Sequence, residues 1–160
     1  MSRGLYFEDM EVGQTLETLG RTITEADIVN FAGLSGDFNP LHIDATYAAQ
    51  QQFGQRVAHG LLGLSVSSGQ SYSLGYLDGT VIAFTELTWK FRAPIYIGDT
   101  IRTISTISKM RPMPAAGGGF VTFDVKVLNQ DNVTVQKGTW TVLVKSRTAI
   151  NESKDEGAAK

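Results

Sequence analysis

The chain has 160 residues, 42% hydrophobic and 19% charged, a balance that fits one globular domain rather than a disordered chain. It contains no cysteine, which excludes disulfides, thiolate zinc sites, iron–sulfur clusters and cysteine nucleophiles together. Fourteen basic against sixteen acidic residues leave a net charge of −2, with no broad field to attract nucleic acid.

The first ten residues, from Met1 to Met10, lack the apolar stretch of a secretory signal. No segment approaches the roughly eighteen apolar residues that a membrane span requires. The expectation is a cytoplasmic protein with no membrane partner. Thr24 can cap a helix running through Glu25, Asp27 and Ile28 to Leu34, with Gly36 as its terminator. A loop of turn formers follows, Gly36, Asp37, Asn39 and Pro40, and then a short helix over 45–51. The segment from Gly60 to about Tyr76 reads as a third helix with apolar residues on several faces and no charge before Asp78. Such a helix has no obvious solvent face, and its glycines predict close approach by a surrounding sheet. From Val81 the period changes to two. Leu87, Trp89 and Phe91 share one strand face, and Gly98-Asp99 turns the chain into a β-rich run over Thr100–Ile107. Gly117-Gly118-Gly119 predicts a flexible hairpin tip. Val121, Phe123, Val125 and Val127 then alternate with Thr122, Asp124 and Lys126, and Val133–Val144 returns after the Asn129–Asn132 turn. Four strands joined by short turns imply an antiparallel sheet. The expected organisation is one domain over 1–147 and a flexible polar tail over 148–160.

Chemistry concentrates in two stretches, which hold both histidines of the chain. In Ser35-Gly-Asp-Phe-Asn-Pro-Leu-His42-Ile-Asp44, a rigid turn can hold the Asp37 carboxylate beside the His42 imidazole. That pair is suited to proton transfer, because surroundings can bring either pKa toward neutrality. Spacing alone leaves a second reading, in which Asp37 caps the turn and His42 is a satisfied structural residue. In Val57-Ala58-His59-Gly60-Leu61, the first backbone N–H groups of the third helix lack intrahelical partners and lie at the positive end of its dipole. They can polarise a carbonyl oxygen, and Gly60 permits close approach; Gly60 is equally readable as a plain helix-start residue. His59 reads as a packing residue there rather than a catalyst.

These residues carry a resemblance. The run Ser35–Asp44, followed by Ala58-His59-Gly60-Leu61, resembles the MaoC-like dehydratases, which include the (R)-specific enoyl-CoA hydratases. Phe91-Arg-Ala-Pro-Ile-Tyr-Ile-Gly-Asp-Thr100 is similar to that group's Pro-to-Gly-Asp turn. The likeness implies an α+β hot-dog fold, an antiparallel sheet wrapped around a long central helix. It implies a homodimer or higher homo-oligomer that binds an acyl-CoA thioester without a metal or other cofactor. By the same likeness Asp37 and His42 are the catalytic pair that positions and activates water, and the backbone N–H of Gly60 is the oxyanion donor. Asn39, Ser68 and His59 are supporting residues: Asn39 braces the loop, and Ser68 supports the site through hydrogen bonds. The implied activity is addition of water to a 2-enoyl-CoA to give an (R)-3-hydroxyacyl-CoA.

Rival readings are weaker on the residues. Gly63-Leu-Ser-Val-Ser67 has serine where the second glycine of a nucleophile elbow belongs. His42, Asp44 and His59 provide two histidines and no clear third metal ligand. Arg56, Lys90, Arg92 and Arg111 are candidate partners for CoA phosphates, each otherwise a solvated charge. Phe84, Leu87, Trp89 and Tyr72 are candidate pocket residues. Two alternatives to hydration remain: a hot-dog acyl-CoA thioesterase, and a non-catalytic acyl-thioester binding module.

Overall fold

The computed structural model describes residues 3–148, and of the expected tail everything after Thr148 lies outside the described residues. The chain forms strands β1 (Thr15–Glu17) and β2 (Arg21–Thr22), then helices α1 (Glu25–Ser35), α2 (Pro40–Ile43), α3 (Ala45–Ala49) and α4 (Gly60–Ser73). Four long strands follow, β3 (Val81–Phe91), β4 (Thr100–Met113), β5 (Gly118–Leu128) and β6 (Thr134–Lys145). They pair antiparallel in the order β1-β4-β5-β6-β3, and β2 pairs with the start of β4. The period-two reading decides which side faces in: Val121, Val125 and Val127 of β5 are buried with Phe123, as are Trp140, Val142 and Val144 of β6. Trp89 and Trp140 stack in this core with ring centroids 6.0 Å apart. No helix among the described residues is long and apolar enough to cross a membrane.

The helix α4 lies against this sheet, docked by polar side chains as well as apolar ones. Thr103 of β4 sends its hydroxyl toward Ser67 Oγ at 2.8 Å and Gln70 Oε1 at 3.0 Å, while Gln70 Nε2 donates to the Ile101 and Leu19 carbonyls. Buried polar groups satisfied in this way set the helix's depth and rotation. Ser67, buried and bonded to Thr103, is thus a docking residue rather than a nucleophile.

Four expectations need correction. The helix α4 ends at Ser73 rather than near Tyr76, because Gly75 turns the chain with a φ of 74°. It also has an open face: Leu61, Ser65, Ser68, Gly69 and Tyr72 are exposed, since one sheet covers one side of a helix. Gly118 and Gly119 belong to β5 rather than to a hairpin tip; a Cβ there would strike the Val144 carbonyl and the Phe7 ring. Pro40 starts the one-turn helix α2, where a plain loop was expected, because Asn39 caps it and proline at the first helical position loses no intrahelical bond.

At α1 the cap is reciprocal. Thr24 Oγ1 accepts from Asp27 N–H, and Asp27 Oδ2 accepts from Thr24 N–H at 2.8 Å. Partial burial pushes the Asp27 carboxyl up, but the Thr24 backbone N–H and hydroxyl and the Arg21 guanidinium outweigh it and hold the group below the ordinary carboxylate range. A depressed folded-state pKa contributes stability that is present above the unfolded value of about 3.9 and lost as pH falls through the folded value. Asp27→Asn is therefore expected to lower the unfolding free energy by about 1 kcal/mol near neutral pH. Urea titrations of both proteins should show that difference shrink once the pH is taken below the unfolded carboxylate range.

Candidate active site

The Asp37–His42 loop is built from local hydrogen bonds. Gly36 ends α1 in the left-handed region, at a φ of 75°, which favours glycine. Asp37 Oδ1 then accepts from Asn39 N–H at 3.2 Å, and Asn39 Oδ1 accepts from Leu41 N–H at 3.0 Å. Asp37 is thereby tied back onto its own loop with its carboxylate exposed, and α2 lifts His42 onto the neighbouring wall. Asn39 stands where a loop brace was expected.

His42 and His59 are oriented by backbone carbonyls. His42 Nδ1 lies 2.7 Å from Val57 O, and because a carbonyl only accepts, the neutral ring carries its proton on Nδ1 and presents a lone pair on Nε2. His59, 2% exposed, likewise directs Nε2–H to Asp37 O at 2.9 Å. Its Nδ1 is buried without a partner among the described residues. The two imidazoles stack, centroids 3.8 Å apart, and Phe31 packs against His59 at 5.1 Å with its ring tilted by 52°. Thus His59 is a spacer that ties the Asp37 backbone and the His42 ring to the start of α4. Val57 is held in turn by a bridge to Tyr96, and Ala58 N–H donates to Ile95 O at 2.8 Å. The turn that carries Ile95 and Tyr96 is closed by Asp99, whose carboxylate accepts from Tyr96 N–H at 2.8 Å.

Ligating atoms of Asp37, His42 and His59 lie within 4.8 Å of one another. One cation between both rings would have to lie in both ring planes, which are stacked with centroids 3.8 Å apart and a 28° angle between them. With one nitrogen of each ring already engaged by a carbonyl, the arrangement suits proton transfer better than metal ligation. Asp44, the third residue of the metal set drawn from the sequence, is instead the cap of α3, accepting from Tyr47 N–H at 2.9 Å.

Gly60 is the first residue of α4, and its N–H has no acceptor among the described residues. A Cβ on Gly60 would stand 2.7 Å from the Phe91 ring. A pocket of 710 Å³ opens beside it, lined among others by Leu41, His42, Val57, Gly60, Phe91 and Arg92. A second cavity of 630 Å³ lies between α1 and α4, with Phe31, Leu34, Leu62 and Val66 in its wall. Phe31 lines that cavity and also packs against His59.

Asp37, His42, His59 and Gly60 are therefore brought together. Ser68 is not: it sits on the exposed face of α4, eight residues beyond Gly60, or about 12 Å along the helix. None of Phe84, Leu87, Trp89 and Tyr72 lines either cavity, because Phe84 packs on Trp140 and Tyr72 projects from the open face of α4. Among the cations, Arg92 lines the 710 Å³ pocket, whereas Arg56 pairs with Glu25 and Arg111 lies over the Phe120 ring. Sequence reasoning missed Phe31, Phe91 and Gln136. For Gln136 a signal existed, since it shares the inward register of β6 with Trp140, Val142 and Val144.

An antiparallel sheet packed on one long helix is the hot-dog architecture. The fold recurs in a conserved hypothetical protein from Mycobacterium tuberculosis with a double hotdog fold, at a TM-score of 0.78 and 22% identity over 90% of this chain and 45% of that one. The MaoC like domain family model matches residues 8–130, and the chain belongs to that family. An (R)-specific enoyl-CoA hydratase from Rhodospirillum rubrum is 38% identical over 143 residues, covering 89% of this chain and 93% of the relative. The R-hydratase PhaJ1 from Pseudomonas aeruginosa superposes with a TM-score of 0.77 at 30% identity, covering 90% of this chain and 88% of that one.

Proposed function

We propose that this protein adds water reversibly to the double bond of a 2-enoyl-CoA thioester, giving an (R)-3-hydroxyacyl-CoA. The observation that carries the reading is the free Nε2 lone pair of His42, its ring oriented by Val57 O, beside the Asp37 carboxylate and in one pocket wall with Gly60, whose N–H has no acceptor among the described residues. The β-carbon of an enoyl thioester becomes electrophilic only as its carbonyl oxygen gains negative charge, and Gly60 N–H is the donor for that oxygen. Asp37 orients a water and His42 takes one of its protons while the oxygen bonds to the β-carbon. The imidazolium then returns a proton to the α-carbon, so water adds across the bond and the enzyme is regenerated. The relatives' (R) specificity supports the product's configuration. The proposed compartment is the cytoplasm; no helix among the described residues is long and apolar enough to cross a membrane.

The test is a hydration assay over a panel of enoyl-CoA thioesters, following loss of the double bond and the configuration of the product. Release of free CoA without loss of the double bond identifies a thioesterase, and binding without turnover identifies a binding module.

The proposed assembly is a homodimer. β3 is an edge strand whose Phe84, Leu87 and Phe91 are 53%, 43% and 56% exposed, and the open face of α4 adds Leu61 and Tyr72. An unpaired, apolar edge strand is a template for a second copy. Sedimentation equilibrium should return twice the chain mass of 17.4 kDa, and Phe84→Lys with Leu87→Lys should shift it to one chain mass.

A further inference from the structure

The mechanism uses the Gly60 N–H but does not say what holds that peptide in place. A buried amide far along the sequence fixes the peptide unit that follows that one, Gly60–Leu61, through its carbonyl. Gln136 of β6 is 2% exposed, and both ends of its side chain are engaged. Its Oε1 accepts from Trp89 Nε1–H at 3.0 Å, and its Nε2 donates to Gly60 O at 2.9 Å. The indole N–H can only donate, so it decides which way the amide points. The Gly60 carbonyl can only accept, so Nε2 must face α4. The first turn of α4 has been cut to fit. A Cβ on Gly63 would collide with the Gln136 amide and stand 2.7 Å from Ile95, and a Cβ on Gly60 would meet Phe91. Both glycines let the helix start settle onto this platform.

We infer that Gln136 is a positioning residue for the oxyanion donor: through Trp89 it locks the first peptides of α4, and so aims Gly60 N–H into the pocket. The inference rests on the hydratase reading. An oxyanion donor acts only if it already stands where charge develops, and a misplacement near 1 Å can lower turnover about 100-fold. A buried amide that merely filled the core would affect stability and leave the carbonyl polarisation alone.

The test uses Gln136→Met, which keeps the side chain's length and removes its donor, in the full chain. The expected result is a kcat about 10- to 100-fold lower with KM changed less than threefold. A second readout is the thioester carbonyl stretch of bound butyryl-CoA, a saturated analogue, by isotope-edited difference infrared spectroscopy. The parent should shift it to lower frequency on binding, and Gln136→Met should lose much of that shift. Trp89→Phe, which frees the amide to turn, should move both readouts the same way by a smaller factor and serves if the methionine variant fails to fold. Variants matching the parent in kcat and carbonyl frequency, whatever their melting temperature, overturn the inference alone. A parent that neither hydrates enoyl-CoA nor shifts the carbonyl overturns the functional reading and the inference with it.

Discussion

His42→Asn is expected to lower hydration turnover about 10²–10⁴-fold while leaving the fold intact. Asparagine places an amide donor near the position of Nδ1, so the bond to Val57 O, 2.7 Å in the parent, is retained. What it removes is the lone pair at Nε2, the only atom of that ring free to take a proton from water. His42→Ala removes both, leaving the Val57 carbonyl without its donor, and should add a loss of stability to the same loss of rate. Asp37→Asn separates charge from shape in a similar way: the Asn39 N–H keeps an acceptor, but the carboxylate is gone. It too should lose about 10²–10⁴-fold in kcat. Folded variants at either position that hydrate at near-parental rates would show that the pair is structural, as spacing alone allows.

The second large effect is expected at Gly60. Gly60→Pro deletes the N–H at the one helical position where proline is tolerated. The preceding residue, His59, already has an extended conformation, with φ −56° and ψ 137°, that a following proline accepts. The helix should therefore persist while the oxyanion donor disappears, lowering kcat about 10²–10³-fold. Gly60→Ala is the matched control, since its Cβ meets the Phe91 ring just as a proline Cβ would but its N–H survives. The ratio of the two variants, measured as kcat on one enoyl-CoA, isolates the hydrogen bond from the crowding. Equal rates for alanine and proline would assign the carbonyl's stabilisation to another donor.

Much of the candidate site was legible because it is locally encoded. Asp37 to Asn39, Asn39 to Leu41 and Thr24 to Asp27 are contacts over two or three residues, and such contacts follow from residue type and spacing. The same holds for the strands, where alternation at Val121–Val127 states which side chains face in. The open face of α4 was not legible. A helix with no charge reads as surrounded, whereas one sheet covers one side of it and leaves Leu61 and Tyr72 for another surface. Pocket residues failed for a related reason. Phe84 and Leu87 lie on an edge strand, and whether an edge side chain lines a cavity depends on what packs beside the edge.

By itself, then, the sequence determined helices α1, α3 and α4, the antiparallel sheet of long strands and the turn that carries Asp37, since each is set by interactions within a few residues or by a period. Only the tertiary structure decided which nitrogen of His42 is free, because Val57 lies 15 residues away. It alone joined Gln136 to Gly60, across 76 residues. Contacts at such separations leave no periodic trace. They depend on how sheet and helix settle against one another, and that packing turns two short motifs into one site.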